Sequence, residues 1–170
     1  NGTAAYEKRG IATSVPEWKI ENCIQCNQCA YVCPHAAIRP FLATDEEAAA
    51  SGVEWKQGLG ETKNLKFRIQ LSPLDCTGCG NCVDVCPAKE KALVMRPLAE
   101  QLHQAENWSK ITKQIGYKEY VDKTKSVKNL QFAQPLFEFS GACAGCGETP
   151  YIKAITQLFG ERMMVANATG

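Results

Sequence analysis

The sequence predicts an α+β fold in which short strands hold two cysteine-rich loops together, followed by the first elements of an α/β unit. Three observations lead to this prediction. A run of four cysteines and a proline, CIQCNQCAYVCP, occupies residues 23–34, and a second run with the same spacing, CTGCGNCVDVCP, occupies residues 76–87. The third observation is a change of character after residue 131, where an apolar stretch leads into a Cys-x2-Cys pair among glycines.

Composition and charge narrow the class of protein. The 170 residues are 45% hydrophobic and 22% charged, with a net charge of +1, as expected for a globular protein of one or two domains that binds neither nucleic acid nor membranes. No secretory signal and no long apolar run is present, so the ten cysteines predict metal ligands in a cytoplasmic protein rather than disulfides. We interpret Asn1 and Gly170 as cut ends of a longer protein.

The spacing within each run is that of [4Fe-4S] ligands, with three thiolates on one loop and a proline that turns the chain away. Cys76 lies 53 positions after Cys23, and Cys86 lies 53 positions after Cys33, so the two runs form an internal repeat. Each half is too small to bury a core alone, and we expect the halves to pack face to face as in ferredoxins. Two zinc sites are the alternative, but a run of four cysteines ending in proline fits tetrahedral zinc poorly.

The repeat also predicts how ligands are shared. In two-cluster ferredoxins, the fourth cysteine of each run ligates the other cluster. Applied here, this rule assigns one cluster to Cys23, Cys26, Cys29 and Cys86. It assigns the second cluster to Cys76, Cys79, Cys82 and Cys33.

The ferredoxin-like domain is predicted to span residues 17–97, after an entry linker at 1–16. Residues 17–20 are predicted to form a strand that feeds the first run. After each run we expect one helical turn and a short apolar strand, closed by Arg39–Pro40 in the first half and by Arg96–Pro97 in the second.

Residues 41–75 are longer than a connection between two such halves requires, and we interpret them as an insertion. Thr44 and Glu47 predict a capping box, with a helix over 45–50 that ends at Ser51–Gly52. The alternation of apolar and polar residues over 65–71 predicts a half-buried strand. Trp55 is interpreted as a core residue rather than a shield for a cluster.

Residues 98–135 are predicted to be a helical and charged linker. Apolar residues at helical spacing from Leu98 to Ile115 predict an amphipathic helix that Gly116 ends, followed by an exposed charged stretch over 118–128. His35 and His103 lack partners that would make them a ligand or a base, so both are interpreted as structural.

The last segment, 136–170, carries the pair Cys143 and Cys146. Such a pair fits half a zinc site, a redox dithiol or half a cluster site, and the surrounding glycines favour the cluster because they let the backbone approach it closely. Thr149 is predicted to cap a helix with Pro150 in its first turn and Gly160 at its end. The predicted buried face of this helix consists of Ile152, Ile155, Leu158 and Phe159. Residues 163–166 predict a buried parallel strand, with 167–170 as the loop at its end.

Four stretches, in order and across nearly the whole chain, resemble pyruvate:ferredoxin (flavodoxin) oxidoreductase. They are YEKRGIA, PEWKIENCIQCNQCAYVCPHAAIRP, LDCTGCGNCVDVCP and FSGACAGCGETPYIK. The resemblance implies a ferredoxin-like domain with two [4Fe-4S] clusters, followed by the start of a thiamine-diphosphate-binding domain of α/β type at 136–170.

The resemblance also implies further site residues. Cys143 and Cys146 match two ligands of a third [4Fe-4S] cluster nearest the thiamine, and Glu148 matches a glutamate at the thiamine diphosphate site. In the family, the NATG at 167–170 precedes a cysteine that is the third ligand, and the fourth lies further on. We therefore expect this chain to hold two clusters without completing the third.

The implied reaction is the oxidative decarboxylation of pyruvate with coenzyme A to acetyl-CoA and carbon dioxide, with thiamine diphosphate and Mg²⁺ as cofactors. Electrons would leave singly through the clusters to ferredoxin or flavodoxin, in a homodimeric enzyme of anaerobic metabolism. No catalytic residue is predicted within this chain. The alternative is a self-standing two-cluster ferredoxin-type electron carrier.

Overall fold

The framework of the fold consists of four strands that enter and leave the two cysteine runs. The computed structural model describes residues 3–168. Its strands are β1 (Ser14–Trp18), β2 (Ile38–Ala43), β3 (Lys56–Gln57), β4 (Lys66–Leu71) and β5 (Leu93–Pro97). Its helices are α1 (Gln28–Tyr31), α2 (Asp45–Ser51), α3 (Asn81–Asp84), α4 (Leu98–Gln101), α5 (His103–Gln114), α6 (Val127–Leu130) and α7 (Thr149–Phe159).

The strands pair across the repeat rather than within each half. Strand β1, which enters the first run, is antiparallel to β5, which leaves the second, with Trp18 opposite Leu93. Strand β2, which leaves the first run, is antiparallel to β4, which enters the second, with Ile38 opposite Leu71. The two halves are therefore interlocked, as the predicted ferredoxin-like repeat requires.

Three predictions about the strands and turns around the runs were wrong in detail. The entry strand covers Ser14–Trp18 rather than 17–20, because pairing with β5 sets its register. The helical turns lie inside the runs, as α1 and α3, rather than after them. A proline disfavours helix in the residue before it, and Ala36 has a left-handed φ of 51° just after the first run.

Strand β2 also continues past Arg39–Pro40 to Ala43, whereas β5 ends at Pro97 as predicted. Pro40 is tolerated within β2 because β2 is an edge strand, next to β4 in the order β2-β4-β3.

The local predictions for 41–75 are confirmed. The backbone N–H of Glu47 donates to Thr44 Oγ1 (3.2 Å), and the Glu47 carboxylate accepts from the backbone N–H of Thr44 (2.9 Å). Helix α2 then ends at Gly52, whose φ of 68° suits a glycine. Trp55 packs against a core that contains Phe41 and Trp108, in agreement with the predicted core role.

Strand β4 alternates as predicted, with Phe67, Ile69 and Leu71 buried, but Gln70 is buried as well. Its amide donates to Leu71 O (2.9 Å) and lies 3.4 Å from Gln104 O.

The amphipathic helix predicted over 98–115 is interrupted at Leu102, which is 49% exposed. In place of Leu102, the polar side chains of Gln101 and Gln104 are buried, and the Gln104 amide donates to Gln101 Oε1 at 2.6 Å. Gly116, with a φ of 67°, follows the helix as predicted. None of the helices in residues 3–168 is long and apolar enough to cross a bilayer.

The charged stretch over 118–128 is largely exposed, as predicted, yet it is tied to the segment between the runs. Lys118 pairs with Glu47 at 2.6 Å, and Lys125 pairs with Glu61. Ser126 Oγ then accepts from the backbone N–H of Asn129 (3.1 Å) and caps α6.

The predicted buried face of α7 was wrong. The helix buries Thr149, Pro150, Lys153 and Gln157, whereas Ile155 and Phe159 are 47% and 44% exposed. Its polar side chains face inward because backbone carbonyls accept their hydrogen bonds; Gln157, for example, donates to Ala133 O at 2.7 Å. Pro150 is in the first turn and Gly160 at the end as predicted, but Glu148 occupies the cap position in place of Thr149 and makes no side-chain cap.

The strand predicted at 163–166 was also wrong. These residues have no regular secondary structure, and Met164 is 99% exposed. A strand needs a neighbouring strand for its backbone hydrogen bonds, and none pairs with this segment among residues 3–168. The predicted loop at 167–170 lies partly outside the described residues, at Thr169 and Gly170.

A buried guanidinium joins three parts of the chain. Arg39 on β2 donates through Nε to Ala36 O (2.6 Å), and its other nitrogens donate to the Tyr117 hydroxyl and the Glu138 carboxylate. The same group lies 4.9 Å from the centre of the Trp108 ring. The segment that leads to Cys143 is therefore held against β2 by a charge that water screens weakly.

We expect Arg39→Met to destabilise the fold by about 3 kcal/mol, because it leaves the Glu138 carboxylate and the Tyr117 hydroxyl without their donor. The measurement is the urea midpoint of the anaerobic chain, followed by tryptophan fluorescence. Arg162→Met, which removes an exposed arginine, is the control and should change stability by less than about 0.5 kcal/mol. Equal midpoints for the two variants would show that the Arg39 contacts contribute nothing to stability.

Candidate metal centres

Two small cavities within the fold are each lined by four cysteines. The first is lined by three cysteines of the first run and one of the second, namely Cys23, Cys26, Cys29 and Cys86. The second is lined by three cysteines of the second run and one of the first, namely Cys76, Cys79, Cys82 and Cys33. The structure thus brings together the two crossed sets that the sequence predicts, which we call the first and second quartets.

Strand pairing explains why the quartets are crossed. The first run begins after β1 and the second run ends before β5, so the β1–β5 pair brings Cys23 and Cys86 to the same end of the molecule. The β2–β4 pair does the same for Cys33 and Cys76. The fourth cysteine of each run therefore belongs spatially with the other run.

The donor set of the cavities suits an inorganic cluster. Each cavity is lined by four cysteines, and most of its other lining residues are apolar. Within residues 3–168, no three His, Cys, Asp or Glu side chains converge closely enough to hold a single metal ion. The four thiols instead surround a void, and thiolates are the ligands that iron–sulfur clusters take.

Left-handed backbone conformations recur at equivalent positions of the two loops. In the second run they fall on Gly78 and Gly80, with φ of 71° and 83°. A Cβ atom at Gly78 would lie 2.8 Å from Ser14 O, so glycine is required there. In the first run, the equivalent positions are Gln25 and Asn27, with φ of 59° and 60°.

Hydrogen bonds of the two buried amide side chains compensate for the strained backbone in the first run. Gln25 donates to Gln57 O (2.7 Å) and accepts from the backbone N–H of Leu59 (3.0 Å), and Asn27 donates to Lys128 O (3.0 Å). The sequence analysis missed Gln25 and Asn27. They lie 53 positions before Gly78 and Gly80, and this equivalence within the repeat could have indicated their left-handed backbone.

Burial shapes the electrostatics of the thiols. It raises the pKa of Cys76 to about 12 and raises the pKa values of Cys29 and Cys82 further, with neighbouring cysteines of the quartets adding to the shift. These thiols are therefore protonated at neutral pH when no metal is bound, and iron must displace their protons. Backbone N–H groups already point to sulfur, from Gly78 to Cys76 (3.4 Å) and from Ala37 to Cys33 (3.3 Å).

Trp18 lines the first cavity, a role that the sequence analysis did not foresee. Its buried indole N–H has no hydrogen-bond partner of good geometry. Burial raises the pKa of the Cys23 thiol, and the Trp18 N–H partly offsets that rise, so the indole lies close to the sulfur. A buried donor without a partner, beside four thiols, fits a group whose sulfur atoms accept hydrogen bonds. Trp18 lies at the end of β1, five residues before Cys23, and this closeness in sequence could have indicated its place at the cavity.

The two histidines lie in different surroundings, and their predicted structural roles stay predictions. His35 is buried, its Nδ1 lies 3.1 Å from Ser140 O, and its carbonyl accepts from the backbone N–H of Phe139 (3.0 Å). It borders the second cavity and holds the segment before Cys143. His103 is exposed on α5 with Nδ1 3.1 Å from Glu100 O.

Cys143 and Cys146 lie outside both cavities but close to the second. A Cβ atom at Gly145 would lie 3.7 Å from Cys79 Cβ, so the loop of the pair lies beside the second quartet. Backbone N–H groups of Thr149 and Glu148 at the start of α7 lower the pKa of Cys146. Glu148 is exposed at the same helix start.

Comparisons with known proteins agree with this site. A family described as "4Fe-4S dicluster domain" matches residues 22–90. The pyruvate:ferredoxin oxidoreductase of Moorella thermoacetica is 59% identical over 99% of the chain, and the pyruvate-flavodoxin oxidoreductase of Enterobacter agglomerans is 56% identical over 100%. A mitochondrial pyruvate dehydrogenase [NADP(+)] of Euglena gracilis is 48% identical over 99%.

The chain spans only 15%, 14% and 9% of the lengths of these three relatives. It is thus similar to one segment of each, and that segment contains the two cysteine runs. By sequence, the chain is similar along nearly its whole length to one segment of pyruvate:ferredoxin and pyruvate-flavodoxin oxidoreductases, and its residues 22–90 match a 4Fe-4S dicluster domain.

Proposed function

We propose that this chain conducts electrons between two [4Fe-4S] clusters within a pyruvate:ferredoxin or pyruvate-flavodoxin oxidoreductase. The observation that carries the proposal is the pair of cysteine-lined cavities, each with three thiols from one run and the fourth from the other. The full reaction would convert pyruvate and coenzyme A to acetyl-CoA and carbon dioxide, with ferredoxin or flavodoxin as electron acceptor. The names of the relatives support this assignment.

The first quartet would hold one cluster and the second quartet the other. Each cluster, when bound, supplies a site that accepts and releases one electron. The chain's own residues act on the surroundings: apolar walls exclude water, the backbone N–H groups of Gly78 and Ala37 donate to sulfur, and the unpaired indole N–H of Trp18 lies beside the first quartet. Hydrogen bonds and burial of this kind tune the reduction potential of a cluster.

The order of electron transfer follows from the position of the Cys143–Cys146 pair. Gly145, which lies between these two cysteines, is beside the second quartet, so we propose that electrons enter there and pass to the first quartet. Ile24, within the first run, is 52% exposed, which supports departure from this end to an external acceptor.

The finer assignments for the rest of the chain belong to the same proposal. Cys143 and Cys146 would supply two ligands of a third cluster, and the lowered pKa of Cys146 favours its thiolate. Glu148 would face thiamine diphosphate with its Mg²⁺, and residues 136–170 would begin the α/β thiamine domain. The predicted domain limits at 1–16, 17–97 and 98–135, the insertion within 41–75 and the homodimer are retained as proposals. A cytoplasmic location is retained because free thiols persist in a reducing compartment.

We expect the chain, purified anaerobically, to contain about eight iron and eight acid-labile sulfide atoms, because each quartet holds one cubane. Iron and sulfide analysis measures the content, and EPR after reduction by dithionite should show magnetic coupling between two reduced clusters. Zinc in place of iron would refute the proposal, and about four irons would refute the second cluster.

Paired substitutions test which cysteines share a cluster. Cys33→Ser with Cys76→Ala removes two ligands of one proposed cluster, so about four irons should remain and the magnetic coupling should vanish. Cys33→Ser with Cys23→Ala is the matched control, because it removes one ligand from each proposed cluster and should damage both. If the Cys33–Cys76 variant damaged both clusters and the Cys33–Cys23 variant kept about four irons, each run would hold its own cluster.

A further inference from the structure

Lys153 on α7 places an ammonium group against the first cysteine run. Its side chain is only 3% exposed, and Nζ donates to Ala30 O and to Tyr31 O, the latter at 3.1 Å. In the part of the chain that the structure describes, no Asp or Glu forms an ion pair with this lysine. A buried ammonium without a carboxylate is costly unless another negative charge compensates it.

The internal repeat gives this contact a counterpart. Tyr31 is the last residue of α1, and the equivalent last residue of α3 is Asp84. The carbonyl of Asp84 accepts from Lys91 Nζ at 2.9 Å. The residue equivalent to Lys91 in the first half is Ile38, which is buried in the core. The first run therefore receives its lysine from α7, far along the chain.

The two lysines differ in their surroundings. Lys91 is exposed, so water screens its charge. Lys153 is buried beside the helical turn that contains Cys29 and precedes Cys33. We assign these two cysteines to different clusters. Burial lowers the pKa of Lys153 to about 8, and the charge of Arg39 adds to that change. Once iron has displaced the thiol protons, Cys29 of the first quartet and Cys33 of the second would supply the compensating negative charge.

We propose that Lys153 is a positioning residue that raises the reduction potentials of both clusters through its buried charge. This inference rests on the function proposed above. One electron enters each cluster on reduction and makes it more negative, while no bond to the protein changes. A cation held in a poorly screened site stabilises the reduced form more than the oxidised form.

The test is an anaerobic redox titration of the full chain, monitored by EPR. Lys153→Gln keeps a hydrogen-bond donor without the charge, Lys153→Met removes both, and Lys153→Arg keeps the charge. At the wild-type midpoint potential, we expect the ratio of reduced to oxidised cluster to fall about tenfold in the two uncharged variants. Lys153→Arg should stay close to wild type. Lys91→Gln is the matched control and should change the ratio by less than about twofold.

Each outcome decides the inference separately from the proposed function. If Lys153→Gln binds the wild-type amount of iron and titrates like wild type, the contact acts through hydrogen bonding alone and the inference is overturned. If the uncharged variants lose iron whereas Lys153→Arg retains it, the charge serves assembly of the clusters rather than their potentials, and the inference is overturned. Loss of iron from all three variants would assign the role to packing and overturn it. Wild-type protein without iron would instead refute the proposed function.

Discussion

The antiparallel pairing of each entering strand with the leaving strand of the other half is the constraint on which the rest of this structure depends. Because β1 pairs with β5 and β2 pairs with β4, neither cysteine run can complete its site without the other. A fold with strands paired within each half would separate Cys33 from Cys76 and Cys23 from Cys86. The pairing also places both quartets between the halves, in cavities whose other lining residues are mostly apolar. Cluster binding and folding of this domain are therefore expected to be strongly coupled.

The two cysteine runs share left-handed backbone conformations at equivalent positions but support them with different residues. Each loop has left-handed residues at the second and fourth positions after its first cysteine. In the second run these residues are Gly78 and Gly80. The first run uses Gln25 and Asn27, whose buried amides bond to backbone at 57–59 and at Lys128. The first loop is thus anchored to the segments around it, whereas the second packs directly against β1. The repeat is symmetrical in its cysteines but not in its supports.

Buried cations connect the later part of the chain to the cluster-binding part. Arg39 holds the segment around Glu138, and Lys153 holds α7 against the first run. These contacts consist of hydrogen bonds to backbone and to specific side chains, so they fix the position of the Cys143–Cys146 loop more sharply than a purely apolar contact would. They also explain why α7 turns its polar face inward and leaves Ile155 and Phe159 exposed.

Features that depend on local spacing were predictable from the sequence. The crossed quartets followed from two cysteine runs with one offset, and the Thr44–Glu47 capping box and the alternation in β4 depend on residues a few positions apart. The sequence by itself thus determined the nature of the metal sites and most of the secondary structure around them. Contacts between distant segments decided the rest: Trp18 rather than Trp55 lies at a cavity, Lys153 rather than Ile155 is buried on α7, and residues 163–166 form no strand. The physical reason is that the burial of a helix face, and the pairing of a strand, depend on which surface the rest of the chain presents, and no local pattern carries that information.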